Sequence, residues 1–206
     1  MGIFNAKIIM ALTGLIMPQV LWASAAVSEP EIFNKIGSAS PRVILVGWSH
    51  IEGNTAPLNF IRKVRDKYKK VSLLIEVPKE REFSLPTRTC PGDCKDLVQE
   101  FFNYDLPVLL ADTVEEKCRN HAMTMTILEE HYFSDNLIVL LVGQLHLPSI
   151  SRLLERANVP HVAFYYKLRS DLFFQIRGMN SRNNRFLKEL CPSLENKFVD
   201  VLASQN

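Results

Sequence analysis

Several signatures that usually identify an enzyme or a nucleic-acid protein are missing from this chain. No Ser sits in a Gly-x-Ser-x-Gly elbow, which disfavours an ordinary serine hydrolase. No Gly-x-Gly-x-x-Gly or phosphate loop is present, which argues against nucleotide cofactors. The formal net charge is only +2, and no Lys/Arg block is interleaved with aromatics, so nucleic acid is not an expected partner. There is no low-complexity segment and no short-period repeat. No segment beyond the N-terminal region reaches about 18 apolar residues, so no membrane span is expected in the remainder.

Acidic residues are also absent before Glu29. Lys7 there precedes an apolar run from Ile8 to Trp22, interrupted by Pro18, and Ala23-Ser24-Ala25 supplies the small residues a signal peptidase accepts. The expectation is a cleaved signal peptide over residues 1–25 and an exported, periplasmic or secreted domain over 26–206. No Cys stands near that boundary, which disfavours a lipid anchor. Export changes the reading of Cys90, Cys94, Cys118 and Cys191, all in the expected mature part. In an oxidising compartment they suggest two disulfides, with three connectivities open. Cys90 and Cys94 could close a small loop by themselves. A tetrathiolate zinc site competes, although Cys118 and Cys191 lack a paired neighbour at the usual spacing.

Along the remaining chain, apolar runs alternate with amphipathic ones. Strands are expected at Arg42 to Val46, Val71 to Val77, Pro107 to Ala111, Leu137 to Val142 and His161 to Tyr166. Helices are expected at Thr55 to Tyr68, Cys94 to Tyr104, Val114 to Tyr132 and Pro148 to Ala157, the third opened by a Thr113/Glu116 capping box. This alternation implies right-handed β-α-β units. The fold class is therefore α/β, a single domain with a mainly parallel central sheet and helices on both faces. Residues 26 to 41 read as a short polar connector, Pro78 to Cys94 as a loop able to act as a lid, and the tail from Leu168 as closing helices.

Two Gly-x-x-His segments follow central apolar runs: Gly47-Trp48-Ser49-His50 and Gly143-Gln144-Leu145-His146. Open α/β sheets bind ligands beyond the carboxyl ends of their strands, so both histidines are expected at one shared site. Glu76 ends another apolar strand at that edge, and Asp112 a third. Glu52 lies near His50, and Arg119 is expected in the second turn of the third helix. A carboxylate in that position is costly to bury unpaired, and a structural salt bridge with Arg119 would satisfy it. The functional alternative makes His50, Glu76 and His146 the first shell of a hydrolytic metal, with Arg119 stabilising an oxyanion. Without metal, His50 or His146 could act as general base, oriented by Glu76 or Glu52. Gly47 and Gly143 are expected to permit a sharp turn and close backbone approach. His121, His131 and His161 read as structural or exposed.

Taken in order, Gly47-x-x-His50, Glu76, Arg119-Asn120-x-x-Met123 and Gly143-x-x-His146-Leu147 resemble the TraB/Tiki/erythromycin-esterase/ChaN-like superfamily, over roughly Arg42 to Leu154. The resemblance implies an α/β fold with paired Gly-x-x-His motifs around one cleft. Its Tiki branch implies metal-dependent peptide cleavage, its erythromycin-esterase branch ester hydrolysis with a His base, and its ChaN branch haem or iron binding. Carried over, His50, Glu76, Arg119 and His146 form the site. Many relatives have a second acid two residues after the strand-end Glu, where this chain has Pro78.

The expected function is hydrolysis of a peptide or ester bond, metal-assisted (Mn, Co or Zn) or with His as base. The alternatives are a haem-, iron- or small-ligand-binding protein, for which Tyr104, Tyr165 and Tyr166 are candidate iron ligands, and an inactive secreted interaction protein. The expected partners are a peptide, an ester or a small molecule.

Overall fold

The computed structural model describes residues 24–39, 42–48, 55–77, 92–112, 118–167, 172–176 and 191. Five parallel strands form the centre of the sheet: β2 (Val43–Trp48), β3 (Val71–Val77), β4 (Val108–Asp112), β5 (Leu137–Gly143) and β6 (His161–Lys167). Two further strands, β1 (Ser24–Val27) and β7 (Leu172–Ile176), extend it antiparallel on one side. The order across the seven strands is β1-β7-β6-β2-β5-β3-β4. The helices are α1 (Glu29–Ala39), α2 (Ala56–Lys67), α3 (Gly92–Asn103), α4 (Arg119–Phe133) and α5 (Leu147–Arg156).

Strands β2 and β5 are buried almost throughout because each lies between two parallel neighbours and under helices on both faces. Alternation along each strand splits their side chains into two cores. Ile44, Val46, Leu73, Ile75, Val139 and Leu141 pack against Ile32 of α1, Ile61 of α2 and Phe101 of α3. Leu45, Leu74, Ile138, Leu140 and Val142 pack against Ile127 of α4 and Leu153 of α5. Each fully buried aliphatic or aromatic side chain contributes about 1.5–3 kcal/mol of transfer free energy. Helices following β2 and β3 cover one face and those following β4 and β5 the other, so the carboxyl ends of these strands lie at the switch in direction where open α/β sheets bind ligands.

The expected mainly parallel α/β domain is present, with element ends differing by a few residues. Two corrections concern the flanks. The tail contains a strand where helices were expected, because Phe173 enters the core while Phe174 stacks on Tyr165 on the other face, which is a period of two. The polar connector contains α1. Ser28 donates through its N–H and hydroxyl to the Glu31 carboxylate, at 2.8 and 2.9 Å, and Ile32 and Ile36 are buried one turn apart. Ser24 and Ala25 belong to β1, facing Ile176 and Gln175, while the rest of the expected leader lies outside the described residues.

Candidate functional site

Glu76 follows Leu74 by two residues and so faces the α4–α5 side of the sheet. The ladder between β3 and β5 ends at Ile75 and Leu141. Two residues further along β5, the Gly143 N–H donates to Glu76 Oε2 at 2.8 Å. A backbone donor thus fixes the carboxylate through a charge-assisted hydrogen bond. Among the described residues no ion pair joins Arg119 to Glu76, so the salt-bridge alternative is not the arrangement seen.

Beyond Gly143 the chain turns through Gln144 and Leu145 to His146. The Gln144 N–H donates to the Trp48 carbonyl at 3.1 Å, tying the turn to β2. His146 then occupies the N-cap position of α5, and its carbonyl accepts from Ile150 N–H. Leu147 and Pro148 are buried in the first turn. A Cβ at Gly47 would lie 2.4 Å from Leu147 Cδ1, 3.0 Å from Tyr165 Cβ and 3.1 Å from Gln144 Cα. Gly47 is therefore needed for close approach. The expected sharp turn at Gly47 does not occur, since β2 runs straight through it to Trp48. The glycine of the first Gly-x-x-His segment makes room for the residue after the histidine of the second.

The two segments lie on adjacent parallel strands, with Trp48 opposite Gly143. His50, Glu52 and Pro78 fall outside the described residues, as do Thr113 and Glu116. Helix α4 is described from Arg119, with Cys118 in its cap position, and the expected start at Val114 lies outside the described residues. Arg119 is the first residue of α4 as described. Its buried Nε has no hydrogen-bond partner among the described residues. Asp112 ends β4 at the same edge, opposite Val77.

The His146 ring lies between two side chains. Asn120 Oδ1 is 2.7 Å from Nδ1, and Glu76 Oε1 is 3.4 Å from Nε2. With the Asn120 carbonyl as acceptor, Nδ1 carries the hydrogen, so in the neutral ring Nε2 presents its lone pair to the carboxylate. A separation of 3.4 Å exceeds the usual 2.7–3.2 Å of a direct hydrogen bond. It is close to the edge of a tetrahedron whose donors lie about 2.0–2.1 Å from a shared cation. The His146 and Glu76 side chains are 23% and 13% exposed, so solvent reaches both. Among the described residues no group of three or more His, Cys, Asp or Glu is placed to hold a metal, and the expected third donor, His50, lies outside them.

Asn120 is the residue that sequence reasoning did not assign. The available signal was a polar residue beside Arg119 on a helix whose neighbours Ala122 and Met123 are buried. His161 and His131 lie at the amino end of the sheet, away from Glu76. His161 Nδ1 donates to the Val159 carbonyl at 2.9 Å, and Ser151 Oγ lies 2.6 Å from its Nε2. Burial holds this ring below the usual histidine range, against the opposing pull of the Val159 carbonyl and Glu155. His131 is also pushed down, by burial and then by Arg42. His121 is buried in α4. Of the candidate iron-binding tyrosines, Tyr104 is exposed past the end of α3, at the amino edge of the sheet, and packs against Arg65. Tyr166 packs on Phe173 in the opposite core, while Tyr165 shares the face of Glu76.

Cys118, next to Arg119, forms a disulfide with Cys191 across a separation of 73 residues, with Cα atoms 5.3 Å apart. Cys94 is also disulfide-bonded to a partner outside the described residues, and no described cysteine is free. No helix among the described residues is long and apolar enough to cross a membrane. No family model matches the chain, and neither a curated protein nor a solved structure matches it.

Proposed function

We propose that the chain is an exported hydrolase acting on a peptide or ester bond at the carboxyl edge of β3 and β5, of the kind implied by the TraB/Tiki/erythromycin-esterase/ChaN-like resemblance. The single observation carrying this reading is His146 held between Asn120 and Glu76, with Nε2 turned toward a carboxylate 3.4 Å away. A closed ion pair would be shorter. The spacing suits a pair with room for a cation between its donors.

In this reading His146 Nε2 takes a proton from the attacking water and later returns it to the leaving group. Asn120 keeps Nδ1 protonated so that Nε2 is the basic atom, and Glu76 balances the imidazolium charge as it forms. The Gly143 N–H fixes the carboxylate rotamer. The Arg119 guanidinium stabilises the negative charge that develops on the carbonyl oxygen. Glu76 and His146 also have the donor chemistry for a divalent cation, with His50 as third ligand. Such a cation, when bound, supplies a lowered water pKa.

The test is hydrolysis of a mixed peptide and ester library by the full chain, with and without Mn²⁺, Co²⁺ or Zn²⁺. His146→Ala is expected to lower turnover by about 10²–10⁴. Activity that survives His50→Ala combined with His146→Ala would overturn the assignment.

A further inference from the structure

We propose that Cys118 and Cys191 are positioning residues for His146: their disulfide pins the first turn of α4, from which Asn120 sets the tautomer of the ring. The inference rests on the site reading above and extends it to a dependence on redox state. Cys118 occupies the cap position of α4 and makes no side-chain cap hydrogen bond, and no acidic residue stands in the first turn. Among the described residues, neither a capping side chain nor a first-turn carboxylate anchors this helix start. In their place is a covalent link to Cys191, with both cysteines buried. Two residues after Cys118, Asn120 Oδ1 meets His146 Nδ1 at 2.7 Å, and Arg119 stands between.

The 73-residue separation spans α4, β5, α5, β6 and β7, so one bond closes the segment that carries both Asn120 and His146. A soluble dithiol opens the link by thiol–disulfide exchange. The Cys118–Cys191 bond breaks, two electrons and two protons pass to its sulfurs as thiols, and the reductant closes to its own disulfide. The first turn of α4 then loses its covalent tie, and the Asn120–His146 hydrogen bond loses its fixed geometry. The site is thereby confined to an oxidising compartment.

The experiment compares the full-length protein with a C118A/C191A double variant, reading the His146 tautomer by long-range ¹H–¹⁵N correlation and α4 amide exchange by mass spectrometry. The expected result is loss of the single Nδ1–H form and at least tenfold faster exchange in the first turn of α4, with β5 unchanged. A folded double variant with the wild-type tautomer and wild-type exchange overturns the proposal. Should the double variant fail to fold, the native protein titrated with dithiothreitol gives the same readouts. An unchanged His146 signal after Cys118 is shown to be reduced overturns the proposal there. Neither readout requires turnover, so a protein that hydrolyses nothing yet shows the tautomer change sinks the functional reading and leaves this one standing.

Discussion

Strand β3 carries two polar residues on the same face, Ser72 at its amino end and Glu76 at its carboxyl end, with Leu74 between them in the core. Each end meets a carboxylate, but the surroundings differ. At the amino end Ser72 Oγ donates to Glu130 Oε1 at 2.5 Å, Ser134 Oγ donates to the same oxygen at 2.6 Å, and Asn136 Nδ2 donates to Ser72 Oγ at 2.8 Å. All of these contacts are short, and donors alternate with acceptors in a closed network. At the carboxyl end Glu76 takes the Gly143 N–H through one oxygen, while its other oxygen faces His146 Nε2 at 3.4 Å. Nearby, Arg119 keeps a buried Nε without a partner among the described residues. The network at the amino end stabilises the fold, whereas the solvent-reached Glu76–His146 pair suits chemistry.

Exchanging the two carboxylates for amides tests that contrast most strongly. Glu76→Gln is expected to lower turnover by about 10²–10³ with little change in melting temperature, since the Gly143 N–H keeps an acceptor. Glu130→Gln is expected to do the reverse, costing about 1–3 kcal/mol of stability with turnover near wild type. Paired turnover and thermal-unfolding measurements decide the matter, and equal losses of activity from both variants would erase the distinction.

A smaller effect is expected from Gly47→Ala. The new methyl meets Leu147 Cδ1, Tyr165 Cβ and Gln144 Cα, and only the first of these sits at the end of a flexible side chain. Overpacking of this kind costs about 1–3 kcal/mol. Because Leu147 follows His146, the variant should also lose turnover, and a variant that loses stability alone would separate Gly47 from the site.

Acid sensitivity should come from the opposite edge. His161 begins β6 and His131 lies in the last turn of α4 beside Arg42, so both belong to the amino ends of the strands. Both folded pKa values lie below the ordinary 6.5, so the folded state binds fewer protons than the unfolded chain. Their contribution to stability is complete above about pH 6.5 and is lost as pH falls below it. The melting temperature of the native protein should therefore drop on acidification through that range. His161→Asn combined with His131→Gln should flatten the profile, and a double variant with the native slope would contradict this origin.

What the amino-acid sequence made legible depends on how far each residue's role is local. The strands from Val43, Val71 and Leu137 announce themselves because a buried parallel strand needs an unbroken apolar run. Glu76 and His146 stand out because polar residues just past such runs reach the sheet edge. The strand at Leu172 escapes because five residues rich in Phe, read alone, fit either period. The helix at Glu29 escapes because its apolar stripe is narrow, although Ser28 and Glu31 form the capping signal. Asn120 could not be assigned in advance, since its role depends on α4 and α5 bringing their first turns together. The role of Gly47 likewise depends on Leu147, a hundred residues away in the chain.

The most direct test of the account is the protonation pattern of the His146 ring in the full-length native protein, read by long-range ¹H–¹⁵N correlation. The account predicts hydrogen on Nδ1, donated to Asn120, and a lone pair on Nε2. A ring with its hydrogen on Nε2, donated to Glu76, would make the pair an ordinary hydrogen bond like those at the amino end of β3, and would contradict the account.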